Sequence, residues 1–308
     1  MFFNKPKFWN NKKLTLIAIL LYPLSLIVIL INKIKEFKNQ LKFSIPVICI
    51  GNVYIGGTGK TPISIKIYEL LIKIGKKPAF IKKFYPYLLD EINMLENYGR
   101  VYCSNNRINS INKLINENNN IAILDDGFQD NTIFKNLSIL CFNESQMLGN
   151  GLVIPSGPLR ETLKSVNRAQ IIFFNGKKNL DFEKKILKIN SSIKFFYFKY
   201  KLLNKELFVE GKYIAFAGIG NPENFFNLLI KNNINLVENI SFNDHYKFKK
   251  KDIDRLFYLS EKKNAKLITT EKDYHRLEEK YKNKINFIKI KVELEHEESF
   301  IKHLKMVI

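Results

Sequence analysis

Ile48-Cys49-Ile50-Gly51-Asn52-Val53-Tyr54-Ile55-Gly56-Gly57-Thr58-Gly59-Lys60-Thr61-Pro62 decides the fold. Residues 47–50 form an apolar run that reads as a buried strand, and residues 62–74 carry apolar side chains at helical spacing. A glycine-rich loop closing on Gly-Lys-Thr joins them. Strand, loop and helix thus follow in the order a phosphate-binding P-loop requires. Glycines let backbone N–H groups converge on phosphate oxygens, and the helix that follows aims its positive end at them. The pattern assigns phosphate contact to Gly56, Gly57, Thr58, Gly59, Lys60, Thr61 and Pro62, and a metal-binding hydroxyl to Thr61. Tyr54 stands where the pattern has its first glycine.

Downstream, Ile121-Ala122-Ile123-Leu124-Asp125-Asp126-Gly127-Phe128-Gln129 has the form of a second buried strand ending in an acid pair. In a parallel sheet such a strand delivers its carboxylates to the edge where the P-loop opens, so Asp125 and Asp126 are the candidate Mg²⁺ ligands. The segment Gly149-Asn150-Gly151-Leu152-Val153-Ile154-Pro155-Ser156-Gly157-Pro158-Leu159-Arg160-Glu161 is too rich in Gly and Pro for regular structure. It reads as a shaped loop in which Arg160 can place a guanidinium on a phosphate oxygen.

Further strands are expected at 78–81, 101–103, 137–142 and 171–174, with helices at 62–74 and 108–115 and a helical stripe within 84–98. Residues 179–212 read as a linking region with extended segments at 193–200 and 207–210. A second α/β unit follows. Its strands are expected at 213–217, 235–241, 265–269 and 285–292, and its helices at 223–230 and 250–262. The expected organisation is an apolar segment at 1–40, a P-loop domain at 41–178, a linker at 179–212 and a smaller α/β domain at 213–308. His245, beside Asp244 at a strand end, is either a proton-transfer group or a loop histidine bonded to backbone.

The N-terminus adds a second feature. Residues 14–31 contain no charge, and as a helix would reach about 27 Å, close to the ~30 Å hydrocarbon core of a bilayer. Lys5, Lys7, Lys12 and Lys13 precede the run, and Lys33, Lys35, Lys38 and Lys42 follow it. Trp9 and Tyr22 suit headgroup depth. Pro23 is expected to kink or break the helix. The segment either spans the membrane or lies in its interface as a broken apolar hairpin, with lysines toward anionic lipid.

The 308-residue chain is long enough for two cores, and its 46% hydrophobic content excludes a disordered chain. A formal net charge of +21 favours anionic partners, though Lys is spread throughout and no basic cluster interleaved with aromatics marks a nucleic-acid surface. Cys49, Cys103 and Cys141 lack metal-ligand spacing and read as reduced core residues.

Several motifs stand in fixed order: the P-loop, Asp125-Asp126-Gly127-Phe128-Gln129, and the 149–161 loop ending Gly-Pro-Leu-Arg-Glu. Gly218-Ile219-Gly220-Asn221-Pro222-Glu223, Asp244-His245-Tyr246 and Thr270-Glu271-Lys272-Asp273 complete the set. Together they resemble the tetraacyldisaccharide 4'-kinase family over nearly the whole chain. The resemblance implies a kinase that moves the γ-phosphate of ATP, with Mg²⁺, to the 4'-hydroxyl of a tetraacylated glucosamine disaccharide 1-phosphate. It also implies the cytoplasmic face of the inner membrane, with membrane lipid and a membrane-embedded substrate as partners; the chain is expected to be a monomer and to bind no nucleic acid. Carried over by position, Lys60 and Thr61 match the phosphate and Mg²⁺ residues, Asp125 and Asp126 the acid pair, and Arg107, Arg160 and Glu161 residues near the nucleotide. Asp90 matches the base for the sugar hydroxyl, with Glu91 beside it and His245 assisting. The chain departs from the family at Lys82-Lys83-Phe84-Tyr85-Pro86, where Arg-Gly-Tyr-Gly is usual, at Leu89, and at Asp130, where a His is usual. A switch ATPase of the partitioning type shares Gly-Gly-Thr-Gly-Lys-Thr but carries a Lys where this chain has Ile55.

Overall fold

The computed structural model describes residues 5–11, 13–37 and 39–308. Lys12 and Lys38, two of the expected flanking lysines, lie outside them. In chain order the first elements are α1 (Leu16–Glu36), β1 (Val47–Gly51), α2 (Lys60–Lys73), β2 (Pro78–Lys83), α3 (Leu89–Glu96), β3 (Val101–Ser104), α4 (Arg107–Asn116), β4 (Ile121–Asp125), β5 (Leu137–Asn143) and β6 (Ile171–Asn175). Then come α5 (Leu180–Leu187), β7 (Lys194–Leu202), β8 (Tyr213–Ala217), α6 (Pro222–Lys231), β9 (Leu236–Ser241), α7 (Lys250–Lys262) and β10 (Lys266–Thr270). The last are α8 (Glu271–Tyr274), α9 (Glu279–Lys282), β11 (Ile285–Ile288), β12 (Ile290–Leu294) and α10 (Glu297–Val307).

The chain is a mixed α/β protein with two sheets. The larger has the order β12-β7-β6-β5-β1-β4-β2-β3, the smaller β11-β10-β8-β9. β1, β4 and β5 are buried at every position, as strands are when helices cover both faces of a parallel sheet. β1 pairs in parallel with β4 on one side and β5 on the other, and Ile50 sits opposite Asp125. The chain leaves β1 for β2 on one flank and later returns to β5 on the other. The C-terminal end of β1 is therefore the switch point at which such sheets bind ligands.

Two compact units emerge, neither contiguous in sequence. One comprises residues 5–84, 99–199 and 293–308, the other 85–98 and 200–292. The boundaries expected at 178 and 213 do not coincide with this division. The expected linker contains α5 and β7, and the expected extended piece at 207–210 is in part a 3-10 turn. The helix at α5 escaped notice because only Phe182 and Ile186 mark its buried face. The single strand expected at 285–292 is two strands, β11 in the small sheet and β12 in the large one.

In the second unit, β8 shows why the small sheet is covered on both faces. Tyr213, Ala215 and Ala217 pack with Phe225, Phe226 and Leu229 of α6, while Ile214 and Phe216 pack with Ile253 and Leu256 of α7. Alternate residues of a strand face opposite ways, so one apolar strand feeds two cores.

α1 runs uninterrupted through Pro23, so the expected break is absent. Thr15 caps its first turn by accepting from the Ala18 amide. At 21 residues it extends about 31 Å. Leu16, Leu20, Ile27 and Leu30 are more than half exposed, and only Ala18 and Ser25 are buried.

Candidate functional site

The first cluster is built on the end of β1. Gly56, Gly57 and Gly59 have φ of 68°, 68° and 86°, a left-handed backbone that non-glycine residues avoid. Those turns bring the chain into α2 at Lys60. Among the described residues, the amides of 56–61 donate to no backbone carbonyl. A row of such N–H groups at a helix N-terminus is a phosphate cradle. Asn52 Nδ2 donates to Thr58 Oγ1 at 2.8 Å and Asn143 Nδ2 to the Gly57 carbonyl at 2.9 Å, bracing the loop. Pro62 falls in the first turn of α2, where its missing N–H costs nothing. The off-pattern Tyr54 is buried, bridged to Leu159 and donating to Asn10 Oδ1 at 3.1 Å.

β4 delivers the acid pair. Asp125, fully buried, accepts from Thr61 Oγ1 at 3.2 Å, Ser64 Oγ at 3.0 Å and Lys82 Nζ at 2.5 Å. Asp126, in the left-handed region at φ 61°, lies 3.6 Å from Lys60 Nζ. Arg160 forks onto it, Nη1 to Oδ1 at 2.7 Å and Nη2 to Oδ2 at 3.3 Å. Burial opposes ionisation of Asp126, but the charges of Arg160, Lys60 and Lys82 outweigh it and hold its carboxyl well below the ordinary range. Arg107, the first residue of α4, donates to the Asp126 carbonyl at 2.8 Å and to Asp130 Oδ2 at 3.0 Å. The departure at Asp130 thus supplies Arg107 with a partner. Glu161 instead pairs with Arg168, and burial raises its pKa. Gln129 links the two groups, since it bonds both Glu161 and Arg160.

Lys60, Thr61, Asp125, Asp126, Arg160 and Arg107 therefore share one cluster. Lys82 and Ser64 were not singled out in the sequence as partners of Asp125. The signal for Lys82 was a lysine at the end of a strand that is otherwise apolar, Ala79-Phe80-Ile81.

Among the described residues, no three His, Cys, Asp or Glu side chains are grouped to hold a metal alone. A P-loop Mg²⁺ does not need such a group. It takes one hydroxyl, one carboxylate, phosphate oxygens and water. Thr61 and Asp125, 3.2 Å apart, fit that donor set. The buried Nε of Arg107 lacks a hydrogen-bond partner among the described residues, which fits a further anionic acceptor at this cluster.

The second cluster belongs to the other unit. Asp90, in the first turn of α3, is 5% exposed. Arg276 donates to its Oδ2 from Nε at 2.9 Å and Nη2 at 2.5 Å. Arg276 Nη1 also reaches the Gly218 carbonyl at 2.6 Å and Asp273 Oδ1 at 2.7 Å. Asp273 accepts in turn from the Gly218 amide at 2.9 Å and Thr270 Oγ1 at 2.8 Å. His245 sits with Nδ1 3.8 Å from Asp90 Oδ1 and Nε2 3.8 Å from Glu91 Oε1. Its amide donates to the Gly218 carbonyl at 3.0 Å, and its φ is 57°. Lys272 pairs with Glu91 at 2.7 Å. Burial pushes the Asp90 carboxyl toward its neutral form, yet His245, Lys272 and Arg276 together hold it below the ordinary value. Tyr87 presents its ring at 6.0 Å to His245, nearly perpendicular.

Asp90, Glu91 and His245 are thus brought together. Arg276, the hub of the cluster, was not singled out in the sequence. Its signal was the i,i+3 spacing from Asp273 inside the conspicuous Thr270-Glu271-Lys272-Asp273 turn.

The profile of the family described as "Tetraacyldisaccharide-1-P 4'-kinase" matches residues 17–91 and 87–308. The chain is 41% identical over 303 residues to the tetraacyldisaccharide 4'-kinase of Pelagibacter ubique, covering 97% of this chain and 96% of that protein. It is 30% identical over 295 residues to the one of Parvibaculum lavamentivorans, covering 89% and 86%. Its fold is similar to that of LpxK from Aquifex aeolicus, crystallised in complex with ATP, with a TM-score of 0.72 at 24% identity over 95% of this chain and 99% of that one.

Proposed function

We infer that this chain, which belongs to the tetraacyldisaccharide-1-P 4'-kinase family, moves the γ-phosphate of ATP to the 4'-hydroxyl of a tetraacyl glucosamine disaccharide 1-phosphate. The observation that carries the reading is the P-loop cluster, in which Lys60, Thr61, Asp125, Asp126 and Arg160 converge at the end of β1. A partitioning-type switch ATPase is not favoured, because the family match runs through 308 and so includes the Asp90–His245 cluster that such an ATPase does not need.

On the donor side, the amides of 56–61 would hold the phosphates and Lys60 would neutralise charge on the transferring group. Thr61 and Asp125 would hold Mg²⁺, which supplies charge neutralisation of the phosphate oxygens. Arg160, held by Asp126, and Arg107, held by Asp130, are further cations at this cluster. On the acceptor side, Asp90 is the base for the hydroxyl proton. Arg276 occupies its Oδ2, so Oδ1, the oxygen nearer His245, is the one oriented for that proton. The low pKa of Asp90 limits its strength as a base, and His245 beside it can share the proton once the hydroxyl is engaged.

The enzyme works at the cytoplasmic face of the inner membrane, held there by α1. The length of α1 and its exposed Leu16, Leu20, Ile27 and Leu30 support attachment to a membrane. Flanking cations Lys33 and Lys35 suit anionic headgroups. Incubation of the purified protein with ATP, Mg²⁺ and the disaccharide 1-phosphate tests the reading: a bisphosphorylated lipid supports it, and ATP hydrolysis with unchanged lipid contradicts it.

A further inference from the structure

α1 meets the rest of its unit along one narrow stripe. Ala18, Ser25 and Asn32 recur every seven residues and so share one face of the helix. Ala18 and Ser25 are completely buried, while Leu20 is 70% and Ile27 55% exposed. Ser25 Oγ lies 2.8 Å from both the Val153 carbonyl and Ser156 Oγ, and accepts from the Ser156 amide at 3.1 Å. About two turns further on, Asn32 Nδ2 donates to the Arg160 carbonyl at 2.9 Å. Trp9 Nε1 holds the same loop, donating to the Pro155 carbonyl at 2.9 Å.

The opposite side of that loop is bonded to the P-loop. Ile55 donates to the Pro158 carbonyl at 2.9 Å, Tyr54 bridges Leu159, and the Arg160 amide donates to the Val53 carbonyl at 2.7 Å. Arg160 is therefore fixed at three points: its N–H by Val53 in the loop after β1, its C=O by α1, and its guanidinium by Asp126. A hydrophobic anchor needs only apolar side chains. A buried serine and an amide aimed at one backbone carbonyl serve a different purpose, since each would be costly in lipid.

We propose that α1 is a working part of the nucleotide site. Ser25 and Asn32 are positioning residues that set the 153–160 loop, and through it Arg160, against Asp126 and the P-loop. The seating of α1 in a bilayer then reaches the bound nucleotide through this loop. The inference rests on the kinase reading for the role of Arg160 and on the membrane reading for the role of α1.

Binding of ATP with Mg²⁺ by full-length protein in detergent micelles, beside flotation on anionic phospholipid vesicles, separates the two. Asn32→Ala is expected to weaken ATP binding about three- to tenfold, the effect of one hydrogen bond, and to leave flotation unchanged. Asn32→Gln, which keeps the donor, restores most of the affinity. In an Arg160→Ala background Asn32→Ala adds less than about twofold, because the group it positions is gone. Ser25→Ala, which removes only a hydroxyl, gives a second test should Asn32→Ala lower the melting temperature. Leu20→Glu with Ile27→Glu reverses the pattern: it loses flotation, keeps ATP affinity in micelles, and loses the shift in ATP affinity that anionic vesicles produce in the wild type. Wild-type ATP affinity in folded Asn32→Ala and Ser25→Ala overturns the positioning role. An equal loss in the Arg160→Ala background also overturns it. Undiminished flotation of the double Glu variant contradicts the membrane reading, and with it the link to the bilayer, while leaving the positioning role to stand on the ATP data.

Discussion

Arg276 places two donors, Nε and Nη2, on a single oxygen of Asp90, and its third nitrogen on Asp273 and the Gly218 carbonyl. The two oxygens of Asp90 are thereby made unequal: Oδ2 is saturated by a guanidinium, and Oδ1 is the one closer to His245. This explains Gly218 as well. Its amide and carbonyl serve Asp273, Arg276 and His245 together, and a Cβ there would press within 3.2 Å of Asn243, Asp273 and Tyr246.

Removing Arg276 is therefore expected to do two things. Arg276→Ala leaves a buried carboxylate without its main partner, at a cost of about 3 kcal/mol in unfolding experiments. It also lowers kcat more than it raises KM for ATP, because Asp90 is the proposed base for the acceptor hydroxyl. His245→Ala, at a partly exposed site, should keep wild-type stability and lower kcat by roughly 10²-fold or more. Steady-state kinetics with thermal melts checks both, and full activity in His245→Ala contradicts its assignment.

Lys60→Ala and Arg160→Ala remove cations proposed to balance charge on the transferring group. Each should reduce kcat by roughly 10²–10³-fold with the protein still folded. Lys60 is the stricter test, since its side chain starts α2 and has Asp126 as its ion-pair partner. Turnover of Lys60→Ala at the wild-type rate would remove the P-loop from the mechanism.

Much of this was legible in the sequence, and for definite reasons. The strands at 47–51 and 121–125 are continuous apolar runs, so burial alone identified them. The Gly-Lys-Thr and Asp-Asp motifs announced their own chemistry. What escaped is what pairs across the chain. The bond between Lys82 and Asp125 spans 43 residues and that between Asp90 and Arg276 spans 186, and no local pattern encodes either. α10 was missed because no marked stop or start signal separates it from β12, and its left-handed entry at His296 is a tertiary feature.

Lys82 gives a prediction about stability rather than catalysis. Asp125 is fully buried, and Lys82 beside it is almost so. Lys82→Met should destabilise by about 3–5 kcal/mol, because it leaves that carboxylate without its cation. Asp125→Asn added to Lys82→Met should return part of the loss, a positive coupling that urea denaturation can measure. Strict additivity of the two changes would show that the pair is not a stabilising unit.

Acid stability follows from Asp90 and Asp126, both held below the ordinary carboxylate value in the folded chain. A carboxyl depressed on folding stabilises fully above its unfolded pKa of about 3.9, and that stability fades as pH falls through the depressed value. The unfolding free energy should therefore drop below about pH 4, and Asp126→Asn should flatten that limb while lowering stability near neutrality. Denaturant titrations across the acid range test this, and identical acid limbs would contradict it.

The central claim is that one chain joins a P-loop donor site to a hydroxyl acceptor. Mass spectrometry of the lipid after incubation with ATP and Mg²⁺ tests it most directly. The tetraacyldisaccharide 1-phosphate should gain one phosphoryl group at the 4' position with the wild-type protein and gain none with Lys60→Ala. Unmodified lipid alongside ATP consumption by the wild-type protein would contradict the account.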